Sequence, residues 1–97
     1  MKHPPKLSTA AAAARLSALP GWTRRGKKIH RAFTFRDFSE AFGFMARVAL
    51  AAEKLNHHPD WANAWNKVTV NLSTHDAGGL TELDFRLAAE MNRLAEE

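Results

Sequence analysis

Lys67-Val68-Thr69-Val70-Asn71-Leu72-Ser73-Thr74 is the stretch on which the fold turns. Val68, Val70 and Leu72 alternate with Thr69, Asn71 and Ser73, and side chains alternate faces along a strand, so one face is apolar and the other wet. Asp76-Ala77-Gly78-Gly79 then reads as a turn. Beyond it the period changes: Leu80, Leu83, Leu87, Met91 and Leu94 recur every three or four residues, as on one side of a helix. Thr81 with Asp84 three places later is a capping signature for that helix.

The same change of period occurs upstream. In Lys28–Phe35, Ile29, Arg31, Phe33 and Phe35 share one face and His30, Ala32 and Thr34 the other, which makes His30 a surface strand residue. Trp22–Arg25 precedes it across Gly26, and the two segments predict a hairpin. Asp37, with Glu40 three later, opens a helix running to about Asn56. Phe38, Phe42, Met45, Ala49 and Ala52 form one apolar stripe on it, and Phe44, Val48, Ala51 and Leu55 a second. Two stripes make a wide arc, fit to cover a sheet and a further helix or subunit; the aromatic stripe is read as core. Ala62–Trp65 is a candidate short strand. At the other end, Ser8 or Thr9 caps a helix reaching about Leu19, where Pro20-Gly21 stops it. The order α-ββ-α-ββ-α predicts an α+β single domain over residues 8–97, a four-stranded antiparallel sheet covered on one face by helices. Residues 1–7, with His3 among prolines, are expected to be a flexible leader.

Ninety-seven residues make one small domain, which buries roughly 65% of the surface its unfolded chain exposes and gains from an oligomer interface. The chain has no cysteine, which excludes disulfides, thiolate catalysis and Cys-based zinc sites. No apolar run is long enough to span a bilayer and no signal core follows the basic start, so a cytoplasmic protein without membrane contact is expected. Residues 1–36 hold nine Lys or Arg and no acid, whereas 37–97 hold five basic and ten acidic residues. The sharpest cluster, Arg24-Arg25-Gly26-Lys27-Lys28, is read as a solvated hairpin tip. With no stacking aromatic among those charges, a nucleic-acid partner is disfavoured.

The chemistry concentrates around Asn56-His57-His58-Pro59-Asp60-Trp61, with Glu53 just before it and Ser73-Thr74-His75-Asp76 and Asp84 after it. Imidazole gives or takes a proton near neutral pH, and three histidines from two elements suit a proton-transfer site. Pro59 pushes His58 out of helical geometry, so the rings of His57 and His58 diverge. His75 has the parity of Thr69, Asn71 and Ser73 and leaves the apolar face if the strand persists. Glu53, one turn before His57, is placed to orient that ring. Divergent neighbours converge poorly on a tetrahedral centre, so a three-histidine metal site is disfavoured.

Glu53, His57-His58-Pro59, Trp65, His75 and Asp84, at these spacings, resemble the signature of the pterin-4a-carbinolamine dehydratases, the family that includes dimerisation cofactors of a homeodomain transcription factor. The likeness takes in Phe35-Arg36-Asp37-Phe38, Ala41-Phe42-Gly43-Phe44-Met45, Arg47-Val48-Ala49-Leu50, Asn66-Lys67-Val68 and Leu72-Ser73-Thr74-His75, and covers the chain from about Trp22 onward.

The resemblance implies a hydro-lyase that removes water from a 4a-hydroxytetrahydropterin, recycling the cofactor of aromatic amino-acid hydroxylases, with no metal or organic cofactor. It assigns His57 and His75 to acid–base work and His58 to the 4a-hydroxyl side. Asn56, Pro59, Trp61, Ser73, Thr74, Asp76 and Asp84 would contact substrate, Ser73 and Thr74 through their backbone, and Glu53 would orient. It also implies a homodimer or homotetramer. Two positions depart from the pattern: relatives often carry Arg before the Asp matching Asp84, where this chain has Leu83, and Asp before the His pair, where it has Asn56. The alternative is a non-catalytic binding or assembly protein, or a transcriptional dimerisation cofactor, on the same fold.

Overall fold

The structure is a computed structural model that describes residues 3–96. The alternation in Lys67–Leu72 becomes strand β4, with Val68, Val70 and Leu72 buried and Lys67, Thr69 and Asn71 on the other face. Its neighbours are β2 (Lys28–Thr34) on one side and β3 (Asp60–Ala64) on the other; β1 (Thr23–Arg25) completes an antiparallel sheet of order β1-β2-β4-β3. The register sets Ile29 opposite Leu72, Phe33 opposite Val68, and Trp61 opposite Val70. One sheet face is therefore almost wholly apolar, while the other carries His30, Ala32, Thr34, Thr69 and Asn71. His30 sits on that open face, bonded to Asn71 Oδ1 at 3.0 Å.

Three helices surround the apolar face: α1 (Thr9–Ser17), α2 (Phe38–Leu55) and α3 (Glu82–Ala95). Each begins at a side-chain cap, from Ser8, Asp37 and Thr81, as the sequence predicts. Phe44, fully buried on α2, is the centre of the packing, its ring 4.8 Å from that of Phe33 and 4.9 Å from that of Phe35. Val48 and Ala52 continue that face onto Leu87, Ala88 and Met91 of α3. A polar tie closes the far side: Asn92 Oδ1 accepts from Trp22 Nε1 at 2.8 Å and from Arg31, whose guanidinium also lies 4.2 Å over the Phe33 ring. Arg15 and Glu82 pair between α1 and α3. Ahead of α1, the Leu7 N–H donates to Leu80 O at 2.8 Å and its side chain packs on the core. No helix among the described residues is long and apolar enough to cross a membrane.

Three readings differ from the observed elements. The strand expected at Ala62–Trp65 is Asp60–Ala64, and Trp65 sits in the β3–β4 turn at φ 52°. The aromatic stripe read as core divides: Phe38 and Phe42 are 51% and 58% exposed, their rings 5.9 Å apart. The second stripe, centred on Phe44 and Val48, is the one that faces the sheet. Leu83, read as a core position of α3, is only partly buried.

Because Phe44 joins sheet to helix without a polar contact, Phe44→Ala is expected to cost about 3–5 kcal/mol through lost transfer energy and a residual cavity. Urea unfolding measures this.

Candidate active site

Helix α2 ends in a way that separates the two adjacent histidines. Asn56 takes the left-handed conformation (φ 51°, ψ 43°), which asparagine tolerates better than most side chains, and the His57 N–H reaches back to Ala52 O at 3.0 Å. The chain leaves the helix axis at that point. His57 turns inward and is 9% exposed, whereas His58 stays outside.

His57 Nε2 lies 2.6 Å from Asp84 Oδ1, and Asp84 is completely buried. The carboxylate also accepts from the Thr81 N–H and the Thr74 hydroxyl, each 2.9 Å from Oδ2. With the Thr74 proton so committed, the Thr81 hydroxyl donates to Thr74 Oγ1 at 2.7 Å, and Thr81 Oγ1 in turn accepts from Leu83 N. A carboxylate only accepts, so Nε2 of His57 carries a proton, and in the neutral ring Nδ1 is a free base. The His57 ring is thereby fixed in place and in tautomer.

Strand β4 ends at Leu72, and Ser73 and Thr74 lead into a short 3₁₀ turn, His75–Ala77. Thr74 and Gly79 pair across that turn, Thr74 N to Gly79 O at 2.9 Å, which fixes its base. His75 is exposed, and no side chain among the described residues bonds its ring. It reaches the site through this turn and not by continuing the strand parity from which its direction was predicted.

These elements wall a cavity of about 660 Å³ lined by His57, His58, His75, Asn56, Ser73, Thr74 and Asp76, within the range of small-molecule sites. Leu55, Leu83, His3 and Pro4 complete the wall; Leu83 fits the position singled out beside Asp84, and the other three were not read as site residues. Among the described residues, no group of three or more His, Cys, Asp or Glu is placed to hold a metal ion.

Four expected site residues stand elsewhere. Trp61 faces the core from β3 opposite Val70, because strand parity and not closeness to His58 sets its direction. Pro59 lies outside the cavity lining. Asp84 is too enclosed to meet a ligand and supports His57 instead. Glu53 bonds His58 and not His57, since the left-handed Asn56 breaks the helical spacing that would have aligned it with His57.

Comparison with known proteins identifies the family of the chain. The profile of the family described as Pterin 4 alpha carbinolamine dehydratase matches residues 5–94. A Sinorhizobium fredii protein carrying the provisional name pterin-4-alpha-carbinolamine dehydratase is 58% identical over 95 residues, 96% of this chain and 90% of its own. A protein of the same provisional name from Nitrobacter winogradskyi is 61% identical over 84 residues, covering 84% of this chain and 83% of its own. The crystal structure of a transcriptional coactivator/pterin dehydratase from Brucella melitensis superposes with a TM-score of 0.91 at 50% identity, covering 93% of this chain and 98% of that one. A pterin dehydratase-like protein described as a RuBisCO assembly factor of the alpha-carboxysome shares the fold at TM-score 0.67 and 22% identity, over 77% of this chain and 89% of its own.

Asp84→Ala would leave the donors of His57, Thr74 and Thr81 without their buried acceptor, and is expected to destabilise by about 3–5 kcal/mol in denaturant unfolding. Leu83→Arg, at the cavity wall, is expected to change stability by under about 1 kcal/mol in the same measurement.

Proposed function

The chain belongs to the pterin-4a-carbinolamine dehydratase family, and from that premise we propose that it removes water from a 4a-hydroxytetrahydropterin to give the quinonoid dihydropterin, so recycling the cofactor of an aromatic amino-acid hydroxylase. The observation that carries the reading is the His57–Asp84 pair, 2.6 Å apart, at the wall of a cavity shared with His58 and His75.

Dehydration breaks the C4a–O bond, the electron pair leaving with oxygen, which takes up a proton and departs as water. The proton on N5 is removed, and its electron pair forms the N5=C4a double bond. His57 fits the base: Nδ1 holds a lone pair while Asp84 at Nε2 stabilises the imidazolium that forms. His75, unbonded among the described residues and open to solvent, fits the acid that protonates the leaving hydroxyl and recovers its proton from water. His58, held by Glu53 at the cavity rim, positions the hydroxyl side of the substrate. The backbone of Ser73 and Thr74 and the side chains of Asn56 and Asp76 meet the ring, and the reaction draws on no metal or organic cofactor.

His57→Ala and His75→Ala are each expected to lower kcat about 100-fold, and His58→Ala to act mainly on KM. Loss of the carbinolamine is followed by absorbance, before and after exhaustive chelation, which should leave the rate unchanged. Wild-type protein no faster than buffer would refute the reading in favour of a non-catalytic binding or assembly role.

We also infer a homo-oligomer, a dimer or a pair of dimers. Phe38, Phe42 and Ala49 leave an apolar stripe of α2 exposed among the described residues, with Leu50 exposed beside it, and exposed apolar surface of this kind marks association sites. Light scattering at micromolar concentration is expected to give two or four times the 10.8 kDa chain mass; a monomer mass would overturn this.

A further inference from the structure

The cavity has a wall that comes from ahead of the domain's first helix. His3 and Pro4 line it together with His57, His58 and His75. Three contacts set the course of this segment. The Leu7 N–H bonds Leu80 O at 2.8 Å, and the Leu7 side chain packs on the core. Lys6 crosses Gly79 so closely that a Cβ there would lie 2.9 Å from Lys6 Cε. Gly79 and Leu80 close the turn that carries His75, through the Thr74–Gly79 bridge. The strap and His75 are thus fastened to one backbone loop. Pro4-Pro5 stiffens the approach, because each ring fixes its own φ and Pro5 restricts Pro4 to extended geometry.

His3 Nδ1 lies 2.7 Å from Pro4 O. A carbonyl oxygen only accepts, so Nδ1 carries the proton, and in the neutral ring Nε2 is a lone-pair acceptor left for a ligand. We propose that residues 3–7 form a fixed strap over the active site and that His3 is a substrate-contacting residue, its Nε2 accepting a hydrogen bond from an N–H or O–H of the bound pterin. The proposal rests on the dehydratase reading for the identity of the ligand. It gives His3 a binding role and no share in the proton transfers, which belong to the histidine held by Asp84 and to the one on the 3₁₀ turn.

The test uses the full chain, with calorimetric binding of 7,8-dihydropterin and turnover of the carbinolamine measured in parallel. His3→Ala is expected to raise both Kd and KM about three- to tenfold, as loss of one neutral hydrogen bond does, with kcat held within about twofold. His3→Gln, whose Oε1 can replace the acceptor, should stay within about twofold of wild type in both. Pro4→Gly should weaken binding without lowering kcat, by loosening the strap. An active wild type with His3→Ala unchanged in Kd and KM would overturn the strap and leave the dehydratase reading standing, as would a Gln variant as weak as the Ala variant. Binding that His3→Ala weakens, in a protein without turnover, would support the strap and sink the dehydratase reading. A wild type that neither binds nor turns over would overturn both.

Discussion

A single buried carboxylate ties the site to the fold. Asp84 has no exposed surface and makes its bonds to three separate pieces of chain: the His57 ring just beyond the end of α2, the Thr74 hydroxyl beyond β4, and the Thr81 N–H at the start of α3. A buried acceptor without donors is costly, so these partners are held together or the carboxylate is not buried at all. Asp84 also stands in the first turn of α3, where the peptide dipoles favour an acid. The side-chain cap of α3 and the support of the His57 ring are one structure.

That arrangement makes the three histidines unlike one another. His57 is enclosed and bonded to a group that cannot move. His58 is bonded to Glu53, and both side chains are largely exposed, which leaves the pair free to adjust. His75 rides on a short turn whose base is fixed by the Thr74–Gly79 bridge while its ring meets solvent. These differences suit the proposed roles, since a base that must recover the same geometry each cycle gains from rigidity, whereas an acid that exchanges its proton with water gains from access.

Much of this was legible in the sequence because local chemistry and tertiary need coincide. Alternation in Lys67–Leu72 and Lys28–Phe35, the caps at Ser8, Asp37 and Thr81, and the Gly26 turn each produced the predicted element. The membership of the cavity was largely legible too, with Asn56, His57, His58, Ser73, Thr74, His75 and Asp76 brought together. What escaped depended on direction. Periodicity shows that α2 has two apolar stripes but not which one the sheet takes, so Phe38 and Phe42 were read as core and are exposed. Counting one helical turn from Glu53 reaches His57 only if the helix continues, and the left-handed Asn56 transfers that partner to His58. The part played by His3 and Pro4 rests on a backbone bond from Leu7 to Leu80, for which no local pattern exists.

The same logic bears on Asn56 and Leu83, the two positions at which the sequence resemblance is expected to break. Asn56 occupies the left-handed cap of α2, and a neutral asparagine serves that backbone without placing another acid beside Glu53. Leu83 stands in the first turn of α3, next to Asp84, with its side chain in the cavity wall. An arginine there would bring a cation near a carboxylate whose donors are already supplied by His57, Thr74 and Thr81. A leucine leaves that network alone and offers apolar surface to a flat ring. In the proposed complex the polar work of the cavity falls to the histidines, to Asn56 and Asp76, and to the backbone of Ser73 and Thr74. A neutral pterin bicycle needs no ion pair to be held by such a wall, because apolar contact supplies affinity and a few placed donors and acceptors supply orientation.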